Sequence, residues 1–203
     1  MTFCINCTLP LQTTKESFDS LGFCVCQSWS KHDSSNISLS QHGILFQPLE
    51  RQKRSSTGRL ISRLTDIQTD SWHRLKNTDQ AARFNDYKLV YPSTEGHPSL
   101  SPQPQDKLLL IDGTWQQSKK MMRQSNWLQE LPRVSFSTEY ISQYSLRRNQ
   151  QEQGTSTLEA LALCLIEQGH NALGKDLIDF LTLFQQAYLQ ARQAGRFSTG
   201  FKQ

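Results

Sequence analysis

The sequence has no run of about eighteen apolar residues, so it lacks the pattern of a transmembrane helix. Its first residues, Met1-Thr-Phe-Cys4, lack the basic and apolar regions of a secretory signal peptide. No internal repeat is visible. These absences predict a cytoplasmic chain with no membrane association. The histidines share no spacing typical of a metal or catalytic site, and we interpret them as incidental: His32, His42, His73, His97 and His170.

Cysteine is scarce after residue 26, where only Cys164 remains, and we expect this thiol to lie in the core on an apolar helix face. The other four form two pairs, Cys4 with Cys7 and Cys24 with Cys26. A reducing compartment disfavours disulfides, and four thiolates are a ligand set of structural zinc. The hypothesis is therefore a structural zinc site. The alternative is four unrelated thiols in a mobile tail.

Length and charge set broad limits on what the chain is. A chain of 203 residues suits one medium domain with a small appendage. We place a Cys-rich region at 1–42 and the main domain at 43–203. The formal net charge of +4 is compatible with a polyanionic partner without requiring one. Basic residues cluster in three segments, 51–63, 119–123 and 133–148.

Apolar runs predict strands and helices that alternate along the main domain. The predicted strands are 44–46, 87–91, 108–111 and 133–136. The predicted helices are 57–64, 114–124, 160–168 and 176–193. The proline-rich segment 92–105 is expected to be a loop, and Gly169 and Asn171 are expected to end the helix before them. The alternation predicts an α/β fold with a mostly parallel sheet flanked by helices.

Capping signals mark the starts of the predicted helices. Ser56 or Thr57 precedes the first, and Ser156 with Glu159 forms a capping box before the third. A polar cluster, Asp112-Gly-Thr-Trp115, stands between the strand 108–111 and the next helix. Ligands of parallel α/β sheets bind outside the carboxyl ends of strands, so this cluster indicates a binding site. The alternative is a simple cap, but it accounts only for Thr114 with Gln117 and leaves Asp112 and Trp115 unexplained.

Two further segments combine cations with hydroxyl groups. The segment Arg51–Arg59 carries cations, hydroxyls and Gly58 ahead of a helix, an arrangement that can hold phosphate or carboxylate. The segment Tyr144–Arg148 ends in two arginines, which bind the same anions bidentately. Each segment alone is better explained as a solvent-exposed basic loop.

Taken together, these motifs resemble the DTW-domain proteins, the tRNA-uridine aminocarboxypropyltransferases. The segments occur in the family's order, cover roughly residues 43–168, and as a set are highly specific. The matching segments are Pro48–Arg51 with Ser56–Leu60, Leu89–Pro92, Leu109–Trp115, Trp127–Val134, and Tyr144–Arg147 with Ser156–Ala160.

The resemblance implies a fold and a reaction. The fold is expected to be similar to that of SPOUT-class RNA-modifying enzymes, with a trefoil knot that holds S-adenosylmethionine. The reaction is expected to move the 3-amino-3-carboxypropyl group from S-adenosylmethionine to N3 of a uridine in tRNA, releasing methylthioadenosine. The implied partner is tRNA, and no protein partner is implied. Two alternatives remain open: an RNA methyltransferase of the same fold, and a non-catalytic zinc-bearing RNA-binding module.

The resemblance also implies site residues. Asp112 is expected to remove the N3 proton, strengthened as a base by partial burial beside Trp115, or instead to orient a substrate. Residues expected to bind S-adenosylmethionine are Tyr91, Pro92, Gly113, Thr114, Trp115, Ser156, Thr157, Leu158 and Glu159. Residues expected to bind tRNA are Arg51, Arg54, Arg59, Lys119, Arg123, Arg133, Arg147 and Arg148. Residues expected to bind zinc are Cys4, Cys7, Cys24 and Cys26.

Overall fold

A six-stranded sheet lies at the centre of the computed structural model, which describes residues 3–10, 23–29, 38–136, 140–146 and 154–195. The strand order is β2-β1-β5-β3-β6-β4, and all five pairings are parallel. The predicted α/β fold with a parallel sheet is therefore confirmed. The strands are β1 Gly43–Phe46, β2 Gln68–Ser71, β3 Tyr87–Val90, β4 Ser99–Leu100, β5 Lys107–Asp112 and β6 Arg133–Val134.

Helices cover both faces of the sheet. Successive strand residues point to opposite faces, so Leu110 packs with α2, α6 and α7, whereas Leu109 packs with α4 and α5. No helix in the described ranges is both long and apolar enough to cross a membrane. The described helices are α1 Cys26–Trp29, α2 Thr57–Leu64, α3 Asn77–Arg83, α4 Trp115–Gln124, α5 Asn126–Glu130, α6 Thr157–Glu167 and α7 Asn171–Gln193.

The two central strands determine where the loops of the site meet. β1 and β5 are largely apolar because both of their faces are covered by helices. Their register places Phe46 opposite Asp112, so the two strands end at the same level. The backbone N–H of Gln47 donates to the carbonyl of Asp112 at 2.9 Å. The loop that leads to α2 therefore starts beside the last residue of β5.

The Cys-rich region packs onto the core of the main domain. Cys7, Leu9 and Val25 are buried in the same apolar cluster as the strand and helix residues on the α2–α6–α7 face. The ring of Trp29 lies 5.5 Å from that of Phe180 on α7, in an edge-on arrangement. The boundary at residue 42 stays a prediction, and the two segments share one core.

Several sequence-based expectations about local structure are wrong. The segment 92–105 is not loop throughout, because it contains β4. β2, α3 and α5 were not expected at all. Asn171 starts α7, five residues ahead of the expected start, so Gly169, with φ of 95°, is the residue that ends the preceding turn.

The histidines are not all incidental, which corrects that interpretation. His42 is 1% exposed, and its Nδ1 accepts a hydrogen bond from the backbone N–H of Leu108 at 3.1 Å. Cys164, in contrast, is confirmed as a core residue on α6. Burial raises the pKa of the Cys164 thiol to about 12, so it stays protonated.

Candidate functional site

Asp112, the last residue of β5, joins two helices at the carboxyl edge of the sheet. Its side chain is completely buried. Oδ2 accepts a hydrogen bond from Ser56 Oγ at 2.8 Å, and Oδ1 accepts one from Thr157 Oγ1 at 2.5 Å. Ser56 is the N-cap of α2, and Thr157 is the first residue of α6. One carboxylate therefore ties the amino termini of both helices to the end of the central strand.

The two helix termini also touch each other directly. The backbone N–H of Leu158 donates to Thr57 Oγ1 at 3.3 Å. The positive ends of two helix dipoles thus converge on Asp112. Gly58 makes this approach sterically feasible, because a Cβ at that position would lie 2.7 Å from Cγ of Asp112. The Ser56-Thr-Gly-Arg segment is therefore shaped around this carboxylate.

The surroundings of Asp112 differ from the sequence-based expectation. We expected partial burial beside Trp115. Instead Asp112 follows Leu110 on the α2–α6 face of the sheet, whereas the side chain of Trp115 stacks on Tyr91, which packs with Leu109 on the other face. In this arrangement Asp112 holds helix termini together and does not meet solvent.

An aromatic pair lies on the other side of the site. The rings of Tyr91 and Trp115 stack with centroids 5.3 Å apart and an angle of 18° between planes. Trp115 is 37% exposed, whereas Tyr91 is buried beneath the surface. Lys119 Nζ lies 5.2 Å from the centroid of Trp115, one helical turn along α4. A partly exposed indole beside a cation is suited to stacking a nucleobase next to a phosphate.

Arg133 is mostly buried, unlike the exposed cations of the expected RNA-binding set, and its role in RNA binding stays a prediction. It is 8% exposed, with its guanidinium 5.4 Å from the ring centroid of Tyr91. Nη1 donates to Thr94 Oγ1 at 2.7 Å. Its Nε is buried and has no hydrogen-bond partner within the described part of the chain. Arg133 therefore packs against Tyr91, the buried ring of the aromatic pair.

Glu159 anchors the segment that follows β6. Its carboxylate is fully buried and accepts hydrogen bonds from Tyr140 Oη, Ser142 Oγ and the backbone N–H groups of Gln143 and Ser156, at 2.7–3.2 Å. Burial, then the charge of Glu159, raises the pKa of Tyr140 to about 12, which keeps this donor protonated. Both oxygens thus accept hydrogen bonds from the protein itself, and a role of Glu159 in donor binding stays a prediction.

The other residues expected to bind S-adenosylmethionine lie near these groups but differ in exposure. Gly113, Ser156 and Leu158 are buried, Thr114 is half-buried and Pro92 is exposed. The capping boxes predicted for Thr114 and Ser156 are both confirmed. A link that the sequence did not reveal runs from Gln117 Nε2 to Gln47 Oε1 at 3.3 Å, which ties α4 to the loop after β1.

The four amino-terminal cysteines form a cluster that can hold a metal ion. Their sulfur atoms all lie within 4.8 Å of one another, with Cys4–Cys26 at 3.6 Å and Cys7–Cys24 at 3.7 Å. Four sulfurs arranged tetrahedrally at about 2.3 Å from a metal are about 3.8 Å apart, so the observed spacing fits a four-thiolate site. Cys24 and Cys26, separated by one residue, therefore fit the same site as Cys4 and Cys7.

Hydrogen bonds among the thiols shift their pKa values in opposite directions. Hydrogen bonding to Cys24 raises the pKa of Cys7 to about 12, and hydrogen bonds from Cys26 and Cys7 lower the pKa of Cys24 to about 2. A divalent cation held by the cluster would favour the thiolate form of its ligands.

The expected RNA-binding cations fall into three groups. Arg51, Arg54, Lys119 and Arg123 are exposed, Arg59 is half-buried and Arg133 is buried. Arg51 Nη1 donates to Ser71 Oγ at 3.1 Å at the end of β2, so it lies at the same edge of the sheet as Asp112. Arg147 and Arg148 lie outside the described residues.

Comparisons with known proteins found one matching family and a curated relative. The tRNA-uridine aminocarboxypropyltransferase 2 of Drosophila melanogaster is 39% identical over 83 residues, which cover 38% of this chain and 32% of the relative. The chain thus matches about a third of that relative's length. No solved structure matches it. The DTW domain matches residues 1–189, nearly the whole sequence, and the chain therefore belongs to the DTW domain family.

Proposed function

We propose that this protein modifies tRNA by transferring the 3-amino-3-carboxypropyl group of S-adenosylmethionine to N3 of a uridine. One observation carries the proposal: the motif segments that are far apart in sequence touch one another at one edge of the sheet. Ser56 and Thr157 bond to Asp112, and Tyr91 stacks on Trp115. The family and the name of the matched relative support the same reaction.

The reaction needs a deprotonated uridine and an oriented donor. N3 of uracil gives up its proton to solvent water, and the resulting anion attacks the γ-carbon of the donor's amino-acid chain. The N3–Cγ bond forms as the S–Cγ bond breaks, and methylthioadenosine leaves with the electron pair. Attack at Cγ rather than at the methyl group requires a fixed donor, so the protein acts mainly through orientation.

We assign Asp112 the orienting role. As a base it would have to release both Ser56 and Thr157 and reach solvent, whereas its present bonds fix the amino termini of α2 and α6. Backbone N–H groups at a helix terminus bind carboxylates, so these termini are suited to hold the amino-acid end of the donor. Asp112 is therefore proposed as a positioning residue for donor binding.

The RNA would contact the aromatic and cationic side of the site. Trp115 is partly exposed, and we assign it to contact the target uracil or the donor's adenine. Arg51, Arg54, Lys119 and Arg123 are exposed and suited to bind phosphates. The SPOUT-like trefoil knot stays a prediction of the family resemblance, and we propose zinc as the ion of the four-cysteine cluster, where it would stabilise the fold.

The test is to incubate the protein with S-adenosylmethionine and unmodified tRNA transcripts, digest the RNA and weigh its nucleosides. Uridine carrying an aminocarboxypropyl group, with methylthioadenosine released, is the expected result. Methylated uridine would replace the proposal with a methyltransferase. Binding of tRNA with neither product, and no binding of the donor, would support the non-catalytic module.

Asp112→Asn tests the positioning role with a matched control. The asparagine amide presents an N–H group to Ser56 or Thr157, where the carboxylate accepts a hydrogen bond. This mismatch displaces the helix termini, so turnover should fall about 100-fold while the circular dichroism spectrum is unchanged. Asp106→Asn changes another buried aspartate, just ahead of the amino end of β5, where it bonds to Lys88 at 2.8 Å. Near-normal turnover is expected for that control. Equal turnover by both variants would contradict the assignment.

A further inference from the structure

Three arginines lie close enough to repel one another: Arg54 in the loop before α2, Arg59 in its first turn and Arg63 in its last turn. Arg59 is half-buried, and Arg54 and Arg63 are exposed. Burial lowers the pKa of Arg59, and repulsion from Arg63 and Arg54 lowers it further. In the ranges that the structure describes, no carboxylate lies within ion-pair distance of Arg59 or Arg63. A bound anion would relieve this repulsion.

The amino-terminal cysteine loop, residues 3–10, holds two of these guanidinium groups in place. Arg54 lies over the ring of Phe3, 4.5 Å from its centroid. Arg59 Nη1 donates to Thr8 Oγ1 at 3.3 Å, and Thr8 Oγ1 in turn donates to the carbonyl of Cys7 at 2.6 Å. The hydroxyl of Thr8 thus connects a metal-ligand residue to a cation.

The backbone of Thr8 is unusual and is held by the same loop. Its φ is 58°, and it is the one non-glycine residue with positive φ in the described chain. A β-branched residue disfavours this conformation, which persists only where surrounding contacts enforce it. Here the N–H of Thr8 donates to the carbonyl of Cys4 at 3.0 Å, and the N–H of Cys4 donates to the carbonyl of Leu9 at 2.8 Å.

We propose that Thr8 and Phe3 are positioning residues for RNA binding, through which the cysteine loop fixes Arg59 and Arg54 as part of a phosphate-binding cluster with Arg63. The inference rests on the proposed function, which makes tRNA the substrate. A four-thiolate site with a divalent ion is net negative, so the loaded loop would also attract Arg59. Metal occupancy and RNA affinity are therefore coupled, although no cysteine touches the RNA.

A phosphate chain fits this cluster better than the carboxylate of the donor. One carboxylate is satisfied by one guanidinium. Arg54 and Arg63 extend the positive surface away from the half-buried Arg59 and are open to solvent. Several cations presented along a surface match successive phosphates of a nucleic acid. The carboxylate of the donor is also an anion that a guanidinium can bind. The experiment therefore measures donor binding and tRNA binding separately.

The test compares Thr8→Val with Thr8→Ser and with Lys107→Gln. Valine keeps the branched shape but removes both hydrogen bonds, whereas serine keeps them. Lys107 lies at the opposite edge of the sheet, where its side chain is 44% exposed and paired with Asp86, and it controls for loss of charge. Measurements are the zinc content, the Kd of S-adenosylmethionine by calorimetry, and the Kd of an unmodified tRNA transcript by fluorescence anisotropy at several salt concentrations.

Thr8→Val should retain zinc and donor affinity but bind tRNA about 3- to 10-fold more weakly. Thr8→Ser and Lys107→Gln should bind tRNA like the unaltered protein. Arg59→Ala should reduce the slope of log Kd against log salt concentration by about one, the change expected for the loss of one phosphate contact. Because binding is measured without turnover, a failed product assay would leave this result intact and would count only against the proposed reaction.

Three results would overturn the inference. The first is an unchanged tRNA Kd for Thr8→Val with zinc retained. The second is a weaker donor Kd with an unchanged tRNA Kd, which would assign Arg59 to the donor carboxylate. If Thr8→Val loses zinc, the Phe3→Leu variant replaces it, and this variant should retain zinc and bind tRNA more weakly. The third overturning result is a Phe3→Leu variant that binds tRNA with the same Kd as the unaltered protein.

Discussion

Buried His42 should make the protein sensitive to mild acid. Its Nδ1 accepts from the N–H of Leu108, so the neutral ring is required. Burial, then the nearby charge of His170, lowers its pKa from 6.5 to about 4. Between these values the unfolded chain binds a proton that the folded chain rejects, so the free energy of unfolding falls as pH falls through this window. At 1.36 kcal/mol per pKa unit, the loss is about 3 kcal/mol.

The perturbation that isolates this effect is His42→Asn. An asparagine places its carbonyl oxygen near the position of Nδ1 and keeps an acceptor for Leu108, but it does not titrate. The variant will be less stable at pH 7, because the smaller side chain leaves a gap. Between pH 7 and pH 4, the free energy of unfolding should decrease in both proteins. The decrease should be about 3 kcal/mol smaller in His42→Asn than in the unaltered protein.

The assay is urea unfolding followed by circular dichroism across that pH range. Comparing the two proteins at each pH cancels the contribution of the carboxyl groups that both share. His97→Asn changes an exposed histidine and should run parallel to the unaltered protein. The reasoning is refuted if His42→Asn loses as much stability in acid as the unaltered protein.

Two further predictions concern the side chains around Asp112 and Glu159. Ser56→Ala should lower the free energy of unfolding by about 1 kcal/mol more than Thr157→Val in urea titrations, because Ser56 also caps α2 through the N–H of Arg59; equal losses would contradict this. Glu159→Gln replaces an acceptor oxygen by a donor, so hydrogen exchange at the N–H of Gln143 should become about tenfold faster. Unchanged protection there would show that Glu159 does not anchor the segment.

Much of the fold was predictable because its signals are local. The central strands β1 and β5 are apolar runs, and the caps Ser56, Thr114 and Ser156 are set by the chemistry of a few neighbouring residues. β2 was missed because Gln68–Ser71 contains no apolar residue, and its strand conformation comes from pairing with β1. β4 was also missed, because it is only two residues long and its strand conformation comes from pairing with β6.

The composition of the candidate site was predictable, but its orientation was not. The motifs pointed to Asp112 and Trp115, and the family resemblance added most of the remaining residues. Which face each side chain takes depends on register and on the alternation of the strands, so the separation of Asp112 from Trp115 needed the structure. The burial of Arg133 likewise follows from packing against Tyr91, which no local pattern records.

The junction at Asp112 has a consequence for how the chain acquires its site. Ser56 and Thr157 reach the carboxylate across 56 and 45 residues of sequence. Contacts of such long range form late, after the cost of closing the intervening loops has been met. During synthesis, α6 leaves the ribosome only when most of the chain has been made, so nascent chains lack the complete junction. The junction at Asp112 therefore forms only once the rest of the chain has folded.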